Sequence, residues 1–179
     1  TYLASRPACA ALIRLFGDEP EKDVRYGASF DNKRMNVKTP ECKLRLSEVV
    51  LMLAEAYCHK GDSEKALKWL NELRRNRIEG VSDLTVGTLP EVRKGDRIVV
   101  DCYGKPLTPL LQAIFDERRK EMYMEGDRWY ELKRNGCPEW WVISNGLKYT
   151  TKAYLYTSPI SKSDVDLNPG LEQNPGYVY

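Results

Sequence analysis

The chain has 179 residues, which is enough for one globular domain with its own hydrophobic core. Charged residues make up 30% and apolar residues 42%, and the net charge of +2 is too small to indicate a nucleic-acid partner. The five cysteines form no Cys-x-x-Cys pair, and there is only one histidine. We therefore predict no metal site and no cofactor.

Two helices joined by a short turn give the strongest local prediction. Apolar residues recur at helical spacing from Leu46 onward, and Gly61 ends this helix. Asp62 or Ser63 then caps a second helix that runs to about Asn76. The short turn makes the helices antiparallel, and their small and apolar residues match the tetratricopeptide pattern. Because one such unit cannot bury its own apolar face, we expect it to pack on other sequence.

The predicted elements that follow are shorter. A strand is expected over Arg97–Tyr103, within a Gly- and Pro-rich insertion, and helices over 108–125 and Asp127–Arg134. Residues 140–156 are mostly extended, and 158–179 form a tail rich in Pro, Asn and Gly that folds only against another surface. We predict a mainly α fold of tetratricopeptide-like helical hairpins, with a small β-hairpin insertion and an extended C-terminal tail.

The segment from Asp116 to Arg134 is dense in alternating charge. Its glutamates recur every four residues, a spacing that aligns them along one face of a helix with arginines in reach. A catalytic pair would need two carboxyl groups across a cleft with separated pKa values, so this pattern favours a structural ion-pair network instead. The predicted network comprises Glu117, Arg118, Glu121, Glu125, Arg128 and Arg134.

The same segment reads E-R-R-K-E-M-Y-M-E-G-D-R-W-Y-E-L-K-R. It resembles E-R-R-x-E-L-x-x-E-G-x-R-W-x-D-L-x-R, a pattern near the C-terminal end of the SusD/RagB family. Arg45–Arg74 is similar to the helical-hairpin pattern of that family, and Pro159–Tyr177 to its Asn-Pro-rich tail. Asp23-Val24-Arg25 is similar to the short D-x-R segment that precedes these blocks.

The resemblance implies a lipid-anchored, surface-exposed lipoprotein of the bacterial outer membrane, in Bacteroidetes. Such proteins sit on a TonB-dependent transporter and capture glycans or other nutrients without chemistry, so we expect no enzyme. We expect residues 1–179 to form a single C-terminal domain of this family. The N-terminal half, the signal peptide and the lipid-modified cysteine are expected to lie outside this chain, and with them the contact with the membrane.

Aromatic side chains are the candidate ligand contacts, because flat rings offer sugars a large contact area. Trp140 and Trp141 follow Cys137-Pro138 in an extended stretch, so their side chains point to opposite faces. We expect one of them to be buried and the other to contact a ligand, with Tyr149 as a third candidate. A tetratricopeptide-like scaffold for protein partners is the alternative function, and an enzyme is the weakest, since no nucleophile–base pair or phosphate-binding loop is visible.

Overall fold

The computed structural model describes residues 9–41 and 44–178. Their helices, in chain order, are α1 (Ala10–Ile13), α2 (Val24–Ser29), α3 (Leu46–His59), α4 (Ser63–Arg75), α5 (Pro109–Glu121), α6 (Asp127–Arg134) and α7 (Lys162–Leu167). Strands β1 (Trp140–Ser144) and β2 (Leu147–Thr151) pair antiparallel. The prediction of a mainly α fold with a small β-hairpin is confirmed.

The chain divides into two compact units. The first contains the residues up to Lys94 together with Leu107–Arg128, and the second contains Gly95–Pro106 together with the residues from Trp129 onward. Within the described ranges, no helix has both the length and the apolar character that a bilayer crossing requires.

The core of the first unit lies where α3, α4 and α5 meet. Leu51 and Ala54 of α3, Ala66 and Leu70 of α4, and Ile114 of α5 are all fully buried there. The turn between α3 and α4 follows the predicted chemistry: Gly61 has a φ of +78°, and the Asp62 carboxylate accepts a hydrogen bond from the Lys65 amide at 3.0 Å. Helix α5 thus supplies the apolar surface that the α3–α4 hairpin lacks on its own.

Helix α5 begins as predicted but ends earlier. The Thr108 hydroxyl accepts a hydrogen bond from the Leu111 amide at 3.2 Å, and Pro109 occupies the first helical position. After Glu121 the chain turns, with φ of +63° at Met124 and +79° at Gly126. Left-handed residues cannot continue a right-handed helix, so Glu125 lies in this turn and not on the helix.

The strand expected over Arg97–Tyr103 is not formed; this stretch has only an isolated bridge between Val100 and Pro106. The β-hairpin lies instead between Trp140 and Thr151. Asn145 and Gly146 join its strands, with φ of +52° and +76°. These positive values are the geometry of a two-residue type I′ turn, which matches the twist of a hairpin.

The tail folds onto the segment just before it. Gln173 pairs with the backbone of Ile160 in both directions: its Oε1 accepts from the amide and its Nε2 donates to the carbonyl, each at 2.9 Å. Asn174 donates to the Ser158 carbonyl at 2.7 Å, and the Tyr177 hydroxyl donates to the Thr157 carbonyl at 2.8 Å. These hydrogen bonds hold the Gln-Asn-Pro-Gly-Tyr sequence against residues 157–160. The tail also contains the short helix α7.

Candidate functional site

The β-hairpin carries the three aromatic residues predicted to contact a ligand. Cross-strand pairing joins Trp140 to Thr151, Trp141 to Thr150 and Val142 to Tyr149. Because directly opposed residues share a face and neighbours alternate, Trp140 and Tyr149 lie on one face and Trp141 on the other. The structure therefore does not gather the three rings into one platform.

Trp140 is held in place by its neighbours. Its indole N–H donates to the Tyr156 hydroxyl at 3.1 Å, and that hydroxyl donates to the Pro138 carbonyl at 2.9 Å. The Arg97 guanidinium carbon lies 4.1 Å from the centre of the Trp140 ring, a cation–π contact. These contacts leave Trp140 half-buried and fix its orientation.

Trp141 is the accessible tryptophan of the pair, with 55% of its surface exposed. Its ring lies 5.1 Å from the Lys148 ammonium nitrogen. Tyr149, on the opposite face, is 53% exposed. An exposed aromatic ring on a hairpin closed by a tight turn is a flat, ordered surface, the kind of surface on which a sugar ring stacks.

The charged segment forms a different structure, centred on Glu121. This buried carboxylate accepts hydrogen bonds from Arg77 at 3.0 Å through both of its oxygens and from Arg45 at 2.8 Å, and it lies 3.4 Å from Arg25. The three arginines come from three separate segments: Arg25 from α2, Arg45 from the residue before α3, and Arg77 from the loop after α4. One carboxylate thus ties all three segments to the end of α5.

Glu117 and Glu125 extend the network on either side. Glu117 pairs with Arg25 and with Lys120, at 2.8 Å in each case. Glu125 pairs with Arg45 at 2.9 Å and, through its second oxygen, with Lys38 at 2.6 Å. Although Glu125 lies beyond the helix, the turn returns it to the same group of cations.

Arg118 points to other partners. Its guanidinium forms a two-pronged ion pair with Asp127, with one contact of 2.9 Å from Nε, and also contacts Glu48 at 3.1 Å. Arg118 is buried, whereas Arg128 is half-buried and Arg134 is exposed in the second unit. The predicted residues therefore do not form one network. Glu117, Glu121 and Glu125 belong to one cluster of cations and carboxylates, which we call the Glu121 group, and Arg118 pairs separately with Asp127 and Glu48. Arg128 and Arg134 lie nearer the surface.

Several members of the Glu121 group were not predicted as members: Arg25, Arg45, Arg77 and Lys120. The sequence does contain a signal for two of them, because Arg25 and Arg45 both lie in segments that resemble the SusD/RagB patterns. Asp23 holds Arg25 through two contacts of 2.8 and 2.7 Å. Spacing alone does not pair residues so far apart in the chain.

The network keeps the carboxylates of Glu117 and Glu121 ionised. Burial alone would raise the pKa of Glu121, but hydrogen bonds from Arg77 and Arg45 outweigh it and lower that pKa to about 2. Burial likewise opposes ionisation of Glu117, yet the charges of Lys120 and Arg25 lower its pKa below the ordinary value. A general acid needs the opposite shift, so these groups are not poised for proton donation near neutral pH.

Comparison with known proteins identifies the family. The model of the SusD family matches residues 20–177, nearly the whole chain. The chain belongs to the SusD family. No curated protein matches its sequence significantly.

Two solved structures are similar to this SusD-family chain. One is a protein from Bacteroides vulgatus ATCC 8482 described as sugar-binding: 30% identity, a TM-score of 0.64, and coverage of 99% of this chain and 42% of that one. The other is a SusD-like protein from Bacteroides fragilis NCTC 9343, with 26% identity, a TM-score of 0.49, and coverage of 75% of this chain and 25% of that one. The chain therefore spans less than half the length of either.

Proposed function

We propose that this chain is the C-terminal domain of a non-catalytic protein that binds a glycan or another nutrient at the outer-membrane surface. The observation that carries the proposal is the 30% identity over 99% of the chain to a protein described as sugar-binding. The exposed rings of Trp141 and Tyr149 supply stacking surfaces of the type that sugars use. Trp140 hydrogen-bonds to Tyr156 and supports the hairpin that carries these two rings.

The further parts of the proposal come from the family. The bound nutrient would pass to a TonB-dependent transporter, and a lipid anchor outside these residues would hold the protein to the membrane. Catalysis is not part of the proposal, because the densest carboxylate cluster is neutralised by arginines and lysines. Co-purification of the protein with a transporter from detergent-solubilised outer membranes tests the partner.

The binding role is tested with a panel of plant and host glycans in affinity gel electrophoresis. The comparison is between the wild-type chain, Trp141→Ala and Tyr130→Ala, since Tyr130 is an exposed aromatic residue that belongs to α6 and not to either hairpin strand. We expect at least one glycan to retard the wild-type protein and Tyr130→Ala, and to retard Trp141→Ala much less. Equal retardation of all three proteins would remove Trp141 from the site.

The alternative function, a scaffold for protein partners, has one observation in its favour. Helix α3 exposes Leu46, Val49 and Met52, at 78%, 49% and 55% of their surfaces. These residues recur at three-residue spacing and form an apolar stripe with no covering among the described residues. Chemical crosslinking at Met52→Cys in cells distinguishes the two roles, because a scaffold would give a discrete crosslinked protein whether or not glycan is present.

A further inference from the structure

Lys148 lies beside the accessible tryptophan of the hairpin. It is on the same face as Trp141, diagonally across the strand pair, and its ammonium nitrogen is 5.1 Å from the ring centre. The contact is a cation–π interaction, which holds a flexible side chain near the ring. A positive charge is therefore placed at the aromatic surface where we propose that a sugar stacks.

The charge of Lys148 is not neutralised by the protein residues that the structure describes. No carboxylate among them lies within ion-pair distance of Lys148, whose ammonium group lies beside the Trp141 ring. The other lysine of this segment, Lys152, differs: it pairs with Glu139 at 2.9 Å. Residues 139–152 contain these two lysines and only one acidic residue, so Lys148 is the cation that remains available.

The opposite face of the hairpin has a similar arrangement. The Arg97 guanidinium covers the Trp140 ring at 4.1 Å. Each of the two hairpin tryptophans therefore has a cationic side chain beside its ring, and Lys148 is the one whose charge can meet a ligand at the accessible ring. A neutral sugar can only accept hydrogen bonds from the ammonium group, whereas an anionic sugar gains an ion pair in addition to stacking.

We propose that the hairpin binds a negatively charged glycan. A sugar ring stacks on Trp141, and its carboxylate or sulfate group pairs with the Lys148 ammonium. The proposal rests on the proposed function, because it names the class of glycan for the same site. It requires no movement of the strands, only a rotation of the Lys148 side chain from the ring toward the anion.

Two matched pairs of oligosaccharides test the charge requirement by calorimetry on the full chain. The first pair is a tetrasaccharide of galacturonic acid and its fully methyl-esterified form, and the second is a sulfated carrageenan tetrasaccharide and its desulfated form. We expect at least one charged member to bind the wild-type protein about tenfold more tightly than its neutral counterpart, a difference of ~1.4 kcal/mol. The pair that shows this preference tells whether the anion is a carboxylate or a sulfate.

Variants at the two lysines assign the preference to a residue. Lys148→Gln is expected to abolish it, and Lys152→Gln, which removes a charge that Glu139 already neutralises, is expected to retain it. Charged and neutral forms that bind equally, a preference that survives in Lys148→Gln, or a failure of all four oligosaccharides to bind would each overturn the inference.

Trp141→Ala separates this inference from the proposed function. If Trp141→Ala weakens both members of a pair while Lys148→Gln weakens neither, the stacking site stands and its preference for anions falls. If Trp141→Ala leaves every affinity unchanged, the glycan site at Trp141 falls, and the anionic preference falls with it.

Discussion

Arg77 donates from Nε and Nη2 to the two carboxylate oxygens of Glu121, at 3.0 Å in both cases. This fork-on-fork geometry is the strongest form of an arginine–carboxylate pair. It joins the loop after α4 to the last residue of α5, and Arg45 and Arg25 approach the same carboxylate. Glu121 is therefore the residue on which the packing of the first unit can be tested most directly.

Glu121→Gln is expected to destabilise the protein by about 3–5 kcal/mol, the typical cost of removing one partner from a buried ion-pair network. The amide keeps the shape of the side chain but leaves the arginines without a buried negative charge. Urea unfolding at neutral pH measures the change. Glu72→Gln is the control, because Glu72 pairs with Arg75 on the surface and its loss is expected to change stability little. Equal effects in the two variants would show that burial adds nothing to the Glu121 pairs.

Acid is expected to weaken the protein through the same group. The pKa of Glu121 falls from an ordinary 4.5 to about 2 on folding, so the unfolded chain takes up its proton first. The stabilisation is complete above about pH 4.5 and is lost as the pH falls toward 2; it amounts to roughly 3 kcal/mol. Urea unfolding at several acidic pH values should show a shallower pH dependence in Glu121→Gln than in the wild-type protein. Parallel profiles would assign the acid sensitivity to other carboxylates.

Arg118→Ala is expected to cost about 3–5 kcal/mol, since it leaves Asp127 and Glu48 without their shared cation. Arg118→Lys should recover only part of the loss, because an ammonium cannot reproduce the two-pronged contact with Asp127. Thermal unfolding measures both variants. A melting temperature unchanged in Arg118→Ala would contradict a structural role for this arginine.

Gly176→Ala is expected to loosen the tail. An added Cβ would lie 2.4 Å from Cγ of Tyr154, and the φ of +90° already disfavours a side chain. Gly170→Ala is a matched control, since its φ is +98° but a Cβ there meets nothing within 4 Å. Hydrogen exchange at the Ile160 amide, which bonds Gln173, should be faster in Gly176→Ala than in Gly170→Ala. The same exchange rate in both variants would mean that the clash with Tyr154 has no effect and that any loosening comes from the strain of a side chain at positive φ.

The features that follow from local rules were predictable. Helices α3 and α4 have apolar spacing, a C-terminal glycine and the Asp62 cap, and each of these signals acts within a few residues. The Asn145-Gly146 pair between two extended runs is also a typical hairpin signal. The prediction for this segment was extended chain without pairing, so it missed the hairpin. Helix α7 had a similar signal, since Ser161 caps it by accepting from the Asp164 amide at 3.2 Å.

The features that depend on distant partners were not predictable from spacing. The periodicity of Glu117 and Glu121 correctly marks one helix face but does not say which cations meet it. The stretch Arg97–Tyr103 had suitable residues, but among the described residues it formed only the Val100–Pro106 bridge and no ladder with a partner strand. The face of each hairpin tryptophan became definite only once the register was known.

The long sequence separations of the Glu121 contacts have a consequence for biosynthesis. Arg77, Arg45 and Arg25 precede Glu121 by 44, 76 and 96 residues. A chain that emerges from the ribosome in order therefore leaves these three guanidinium groups without their Glu121 contact until the end of α5 has left the exit tunnel. Closure of the first unit is then a late event that waits for the end of α5 and the turn after it, which carry Glu117, Glu121 and Glu125.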